Sequence, residues 1–195
     1  VFMPEVSEVY PKGADASDTA GLDFGTLATT MEGAQRPGHF GGVAQVVKRL
    51  LDIVQPTHMY MGQKDYQQLL IVRSMVQQLE LPVEVVGCPI VREPDGLAMS
   101  SRNRRLSDTE RQQALAISQT LVKAVEWAET MPPDAVEQQA LGQLKAAGLV
   151  PEYFALANAE DLQPVQSFDE AKQVIAFVAA RSGAVRLIDN KLLTG

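Results

Sequence analysis

The sequence predicts an α/β fold: a parallel sheet flanked by helices, followed by a small α+β domain with an antiparallel sheet. Apolar residues recur at helical spacing over residues 43–54 and 65–79, and the apolar runs 58–61 and 83–91 are typical of strands. Strand, helix and strand joined by short loops form a βαβ unit, in which the strands are parallel. In the second half of the chain, two helical segments precede three strand-like segments, an order typical of an α+β unit.

The elements before the βαβ unit are short. The chain opens Val1-Phe2-Met3-Pro4, and its first residues are predicted to end a buried strand, so we expect a fragment or a processed product. Residues 13–35 are rich in Gly, Ala, Ser, Thr and Asp and are predicted to form a loop with one short strand at 22–27. Gly41-Gly42 marks the start of the first predicted helix, and Pro56 follows its end.

Two long helices and a final hairpin are predicted in the second half. Ser107-Asp108-Thr109-Glu110 has the pattern of a capping box and predicts the start of a helix that runs to residue 130. A second helix is predicted over 134–147 and is closed by Gly148. A turn at Ser182-Gly183 joins the last two of three predicted strands. These strands cover residues 153–157, 173–180 and 185–188.

Composition limits the classes of protein to which the chain can belong. Its 195 residues are 46% hydrophobic and 21% charged, which excludes intrinsic disorder. No apolar run is long enough for a membrane span and no signal peptide is recognisable, so we expect a cytoplasmic protein without a membrane partner. The net charge of −7 argues against a nucleic-acid partner, and the single Cys88 excludes an internal disulfide. A change in composition places the domain boundary between 1–91 and 92–195.

The segment Gly62-Gln63-Lys64-Asp65 is the first candidate site, because it lies where a predicted strand turns into a helix. Ligands of parallel sheets bind at the carboxyl ends of strands, and helix N-termini favour anions. Gly62 lets a ligand approach the backbone closely, Lys64 suits a phosphate, and Asp65 can accept hydrogen bonds from ribose hydroxyls. The alternative is a simple helix start with Asp65 as the N-cap residue.

The second candidate is Met99-Ser100-Ser101-Arg102-Asn103. Two hydroxyls, a guanidinium and several backbone amides lie close together there, a combination that can bind a phosphate. One alternative is a polar loop between domains. Another is a nucleic-acid contact made by Arg102, Arg104 and Arg105, which the net charge of −7 disfavours.

The third candidate is Arg36-Pro37-Gly38-His39-Phe40, just before the first predicted helix. Arg36 could bind a carboxylate or a phosphate, and His39 is either a catalytic group or a residue that orders the loop. The chain has two histidines and one cysteine, widely spaced, so no metal site is predicted.

Taken together, these segments resemble the pantothenate synthetase family, the pantoate–β-alanine ligases. The likeness rests on the Arg36 segment, on Gly62-Gln-Lys-Asp-Tyr-Gln-Gln68 and on Asp95-Gly-Leu-Ala-Met-Ser-Ser-Arg-Asn103, and it extends to Tyr10-Pro11 and Arg186-Leu-Ile-Asp189. The stretch 95–103 corresponds to the Lys-Met-Ser-Lys-Ser-type loop of the nucleotidyltransferase superfamily. The resemblance implies a truncated Rossmann-like sheet of that superfamily, followed by a small lid domain.

The activity implied by the resemblance is an ATP-dependent condensation of pantoate with β-alanine. The pantoate carboxylate would attack the α-phosphate of ATP to give pantoyl adenylate and pyrophosphate, and the β-alanine amine would then displace AMP. Mg²⁺ would bridge the ATP phosphates. The partners implied are these small molecules, and full-length members of the family are usually homodimers.

The resemblance also assigns roles to single residues. Gly62 and Asp65 would hold the ribose, and the main chain of Val91 and Met99 would line the adenine pocket. Gln68 would bind pantoate. These roles follow from the match of motifs, residue by residue.

The remaining implied roles concern the phosphates. Gln63 would complete the ATP contacts, and Arg36 would touch a phosphate. The residues implied to stabilise negative charge on the phosphoryl oxygens, and so to be catalytic, are Lys64, Ser100, Ser101 and Arg102.

One family feature is absent from the sequence. The family carries a His-x-Gly-His signature, and neither His39 nor His58 has that context. We therefore expect this polypeptide alone to be inactive. Two alternatives stay open: a non-catalytic binding or oligomerisation fragment, or another adenylate-forming member of the superfamily, although Gln68 and the Arg36 segment favour pantoate.

Overall fold

The computed structural model describes residues 2–11, 13, 19 and 21–193. The chain divides into two compact units, Val1–Cys88 and Pro89–Gly195, whereas the sequence placed the boundary after residue 91. The first unit contains α1 (Val6–Val9), α2 (Met31–Gln35), α3 (His39–Val54), β1 (His58–Gly62), α4 (Tyr66–Gln78) and β2 (Glu84–Cys88). The second contains α5 (Asp108–Ala128), α6 (Pro133–Ala146), β3 (Val150–Asn158), β4 (Val174–Ser182) and β5 (Val185–Leu192). Short 3₁₀ turns lie at Gly25–Ala28, Gln63–Asp65, Ser101–Arg105 and Phe168–Glu170.

The first unit is built on the predicted βαβ arrangement. β1 pairs with β2 in parallel, with Gly62 opposite Cys88, and α4 connects the two strands. Apolar side chains of α3 and α4 pack against one face of the sheet. The buried residues of this cluster are Ala44, Val47, Leu51, Val72 and Met75, with Met59, Met61 and Val85 of the strands packed against them. On the other face Tyr60 is 69% exposed. The predicted parallel sheet is confirmed.

The segment before α3 differs from its prediction. Phe2 and Met3 are exposed and lie outside any strand, so the predicted buried strand is wrong; Val1 lies outside the described residues. Residues 22–27 do not form a strand either, since a 3₁₀ turn occupies Gly25–Ala28. The backbone here is bound by a side chain of α4 and not by a neighbouring strand. The side-chain amide of Gln78 accepts from the N–H of Asp23 and donates to its carbonyl oxygen.

The boundaries of α3 and β2 also differ from their predictions. α3 begins at His39, after Gly38 with φ +78°, so Gly41-Gly42 lies inside the helix and does not precede it. A Cβ at either of these glycines would meet nothing within 4 Å, so local packing does not require glycine there. β2 ends at Cys88 and not at residue 91. The reason is Pro89, which has no N–H to continue the ladder.

The second unit is an antiparallel sheet in the order β3-β4-β5, with α5 and α6 packed against it. β4 is the central strand and is buried along almost its whole length. The predicted hairpin is confirmed, since Ser182 pairs with Val185 across a two-residue turn. The capping box is confirmed too, because Ser107 and Glu110 each accept a hydrogen bond from the other's backbone N–H. None of the helices within the described residues is long and apolar enough to cross a membrane.

Candidate functional site

The turn after β1 carries the first candidate segment. β1 ends at Gly62, residues Gln63–Asp65 form a 3₁₀ turn, and α4 begins at Tyr66. Gly62 therefore stands at the carboxyl end of a parallel strand, where such sheets bind ligands. Asp65 occupies the N-cap position of α4, but its exposed side chain makes no capping hydrogen bond. Asp65 therefore lies at a helix start, as the alternative predicts, but its carboxylate does not cap the helix.

Two neighbouring glutamines at the start of α4 have different surroundings. Gln67 is buried, and its Nε2 donates to the carbonyl oxygens of Leu27 at 2.7 Å and Thr30 at 3.0 Å. Its Oε1 accepts from the N–H of Glu32 at 3.2 Å. Gln67 thus hydrogen-bonds backbone groups in the stretch that precedes the Arg36 segment. Gln68 is only partly buried, and it is this residue that the resemblance assigns to pantoate.

The Arg36 segment contains a direct side-chain contact. The Nη1 atom of Arg36 lies 3.0 Å from Nε2 of His39, whose ring packs against Phe40 with a centroid distance of 5.1 Å. Burial, followed by the charge of Arg36, lowers the pKa of His39, while Glu32 and Asp65 act in the opposite direction. A neutral imidazole that accepts a hydrogen bond from Arg36 fits the interpretation that His39 orders this loop. Arg36, Glu32 and Asp65 all lie within electrostatic range of His39.

The second unit presents the other candidate segment. The N–H of Met99 donates to the carbonyl of Val91 at 2.9 Å, and both side chains are largely exposed. Ser100 is the N-cap of the 3₁₀ turn Ser101–Arg105, and its hydroxyl accepts from the N–H of Arg102. Ser101 and Arg102 are exposed, and Nη1 of Arg102 donates to the carbonyl of Arg186 at 3.4 Å. Hydroxyls, amides and a guanidinium are thus available at this surface.

The structure places the predicted site residues in two groups, one in each unit. The first unit contains Arg36, Gly62, Gln63, Lys64, Asp65 and Gln68, and the second contains Val91, Met99, Ser100, Ser101 and Arg102. Over the part of the chain that the structure describes, no group of three or more His, Cys, Asp or Glu side chains could hold a metal ion.

Three ion pairs near the second segment, made by two arginines, were missed by the sequence-based prediction. Arg92 makes a bidentate contact with Asp189, whose side chain is 1% exposed. Arg111 pairs with Glu93 and Asp95. The first pair joins residues 97 positions apart, so no local pattern links them. The one signal available is Asp189 itself, a carboxylate directly after the predicted strand 185–188.

Comparisons with known proteins identify the family. The family model described as pantoate-beta-alanine ligase matches residues 1–192. A pantothenate synthetase from Bacteroides thetaiotaomicron is 47% identical over 190 residues, which cover 97% of this chain and 66% of that protein. One from Desulfitobacterium hafniense is 43% identical over 199 aligned positions, covering 100% of this chain and 68% of that protein. The chain thus spans about two thirds of the length of these curated relatives.

Solved structures agree with the sequence comparisons. A pantothenate synthetase from Thermus thermophilus matches with a TM-score of 0.90 and 41% identity, covering 100% of this chain and 69% of that one. A pantoate-beta-alanine ligase from Francisella tularensis, complexed with beta-gamma ATP and beta-alanine, matches with a TM-score of 0.71 and 29% identity, covering 97% and 63%. These matches confirm the predicted fold class. With almost its whole length matched by the family model, the chain belongs to the pantoate–β-alanine ligase family.

Proposed function

We propose that this chain carries nucleotide-binding residues of an ATP-dependent ligase that joins pantoate to β-alanine through a pantoyl adenylate. The observation that carries the proposal is the turn Gln63–Asp65 at the carboxyl end of β1, in a chain that belongs to the pantoate–β-alanine ligase family. A further support is the relative from Francisella tularensis, which was crystallised with beta-gamma ATP and beta-alanine. The same resemblance supports a cytoplasmic location and a homodimer for the full-length protein.

The first chemical step makes a poor acyl donor reactive. A pantoate carboxylate oxygen forms a bond with the α-phosphorus of ATP, and the bond from that phosphorus to the bridging oxygen of the β-phosphate breaks. Pyrophosphate leaves with the electron pair. Negative charge spreads over the phosphoryl oxygens in the transition state, so fixed donors and cations stabilise it more than the ground state. We assign this role to Lys64 in the first unit and to Ser100, Ser101 and Arg102 in the second.

The second step forms the amide. The neutral amine of β-alanine attacks the acyl carbon of the adenylate, the bond to the phosphate oxygen breaks, and AMP leaves while the nitrogen loses a proton. Gln68 would position the pantoyl group, Gly62 and Asp65 the ribose, and the main chain of Val91 and Met99 the adenine. Gln63 and Arg36 would complete the contacts with ATP. Mg²⁺ would enter bound to the ATP phosphates.

A nucleotide titration tests the proposal. We expect the 195-residue chain to bind ATP, and Lys64→Ala to raise the Kd about tenfold or more, because a charge-assisted contact with a phosphate is lost. The matched control is Lys172→Ala, which removes an exposed lysine outside all three candidate segments. Absence of ATP binding, or equal effects of the two substitutions, would contradict the proposal.

Catalysis is a separate matter from nucleotide binding. Because no His-x-Gly-His pattern occurs in these 195 residues, we propose that this polypeptide alone binds nucleotide without completing the reaction. AMP release that requires both pantoate and β-alanine would show the opposite. Adenylate formation with other acids, and none with pantoate, would favour a different adenylate-forming activity.

A further inference from the structure

A hairpin-like segment at the start of the second unit carries residues 99–102, which we name the phosphate loop. The N–H of Met99 donates to the carbonyl of Val91 at 2.9 Å, which closes the base of the segment. At the tip, the N–H of Gly96 donates to the carbonyl of Glu93 at 2.8 Å, with Gly96 at φ +91°. The phosphate loop therefore continues directly from a hydrogen-bonded turn.

Asn103 ties the two ends of the phosphate loop together. It follows Arg102 directly, and its Nδ2 donates to the carbonyl of Ala98, the residue before Met99, at 3.1 Å. The same Nδ2 donates to Oε1 of Glu93 at 2.6 Å. Asn103 is 5% exposed, and among the described residues nothing donates to its Oδ1. Its two donated hydrogen bonds therefore set the orientation of the amide.

Arg111 of α5 holds Glu93 from the other side. Its Nη2 donates to Oε2 of Glu93 at 2.6 Å, and its Nε donates to Oδ2 of Asp95 at 3.0 Å. Each oxygen of Glu93 thus has its own donor, one from Asn103 and one from Arg111. These hydrogen bonds, that of Asn103 first, lower the pKa of Glu93, and the pKa of Arg111 is raised by Glu93 and Asp95. The contacts of Arg111 with Glu93 and Asp95 therefore join charged groups at neutral pH.

A second anchor attaches the same segment to the sheet. Arg92 donates from Nη1 to Oδ2 of Asp189 at 2.7 Å and from Nη2 to Oδ1 at 3.1 Å. Nη1 also donates to the carbonyl of Gly96 at 3.1 Å. The segment is thus fixed to β5 through Arg92 and to α5 through Arg111. Asn103, which follows the phosphate loop, binds the same carboxylate of Glu93 that Arg111 binds.

We propose that Glu93, Asn103 and Arg111 are positioning residues that hold the phosphate loop in its nucleotide-binding geometry. They act through Ser100, Ser101 and Arg102 and need no contact with the nucleotide. A loop that is ordered before binding loses less conformational entropy when phosphates arrive. The part of this inference that concerns ATP rests on the proposed function, and the part that concerns loop order does not.

Two isosteric variants test the network. Glu93→Gln replaces one carboxylate oxygen with an amide nitrogen, which cannot accept the hydrogen bond from Asn103 or Arg111. Asn103→Asp replaces the donating amide with a carboxylate, which cannot donate to Glu93 or to the carbonyl of Ala98. In each variant we expect hydrogen exchange of the backbone amides at positions 99 and 103 to accelerate about tenfold or more, while amides of β4 keep their protection. We also expect the Kd for ATP to rise about tenfold or more.

The matched control is Lys123→Ala, which removes the side-chain hydrogen bond from Lys123 to Gln143 elsewhere in the same unit. It should change neither loop exchange nor ATP affinity, even where it lowers the thermal midpoint as much as Glu93→Gln does. Faster loop exchange with unaltered ATP affinity would overturn the positioning role, and so would unaltered exchange in both variants. If the unsubstituted chain binds no ATP, the proposed function fails, and the exchange measurement still decides whether the network orders the loop.

Discussion

At the scale of single residues, the charge of Arg36 favours the neutral form of the His39 imidazole. The guanidinium donates to an imidazole that is neutral, and protonation would put two cations 3.0 Å apart. Burial acts in the same direction and is the larger cause of the lowered pKa of His39. The contact therefore persists only while the imidazole is unprotonated.

Arg36→Gln should raise the pKa of His39, because the neighbouring cation that opposes protonation of the imidazole is removed. Titration of the imidazole C2 protons by NMR measures this directly. The chain has only two histidines, so the spectrum of His39→Asn assigns the resonance. The difference should shrink in about 1 M salt, which screens partly exposed charges. A midpoint at or above 6.5 in the unsubstituted chain would contradict the prediction.

The same lowered pKa makes stability depend on pH. Unfolded His39 binds a proton more readily than folded His39, so unfolding becomes easier as the pH falls below 6.5 and through the folded pKa. Well above 6.5 both states are neutral and the residue contributes no pH dependence. His39→Asn should therefore flatten the fall in the urea midpoint between about pH 7 and pH 5.

At the scale of elements, local signals were sufficient where the structure depends on neighbours in sequence. The capping box at Ser107 and the turn after Ser182 are formed by residues a few positions apart, and both were predicted. The 3₁₀ turn at Gly25–Ala28 follows backbone that is bound by Gln78 of α4, 55 positions from Asp23 in sequence, and it was not predicted. Tertiary contacts of this kind override weak local preference.

In the candidate site, too, contacts between neighbours in sequence differ from contacts between distant residues in how well they can be predicted. Its contiguous parts, such as Gly62-Gln63-Lys64-Asp65, could be predicted because strand end, turn and helix start follow one another in sequence. The supporting contacts could not, since Arg92 and Asp189 of β5 lie 97 positions apart in sequence. A sequence pattern thus indicates which groups could touch a nucleotide, whereas the packing of distant elements determines what holds them in place.

Two glycines of the second unit should respond to alanine in opposite directions. Gly142 lies inside α6 and a Cβ there would meet nothing within 4 Å, so Gly142→Ala should stabilise the unit by about 0.5–1 kcal/mol. Gly183 has φ +55° in the β4–β5 turn, and a Cβ would overlap the carboxylate of Glu110, which completes the capping box of α5. Gly183→Ala should destabilise by about 1–3 kcal/mol.

Urea unfolding followed by the fluorescence of Trp127, the only tryptophan, measures both effects within the second unit. Changes of the same sign for Gly142→Ala and Gly183→Ala would contradict the argument, because both replace glycine with the same residue and differ only in backbone conformation and available space.

At the scale of the whole molecule, the two units differ in how completely they bury apolar surface. The cluster in the second unit includes Leu121, Val136, Leu144, Phe154 and Val178, and the central strand β4 is buried along almost its whole length. In the first unit the two-stranded sheet is covered by helices on one face, while Tyr60 on the other is 69% exposed. Burial of apolar area is the main favourable contribution to folding, so the second unit should be the more stable by itself.

We therefore expect a polypeptide of residues 89–195 to fold alone, with one cooperative urea transition at the midpoint that Trp127 reports in the whole chain. Leu144→Ala provides the internal comparison, because Leu144 is fully buried and its truncation should cost about 2–5 kcal/mol by leaving a cavity. If the core is complete within the unit, this loss should be equal in the short and the whole chain, since no packing partner of Leu144 is removed by the shortening. A gradual transition in the short chain, or a much smaller loss there, would show instead that the second unit depends on the first for its folded core.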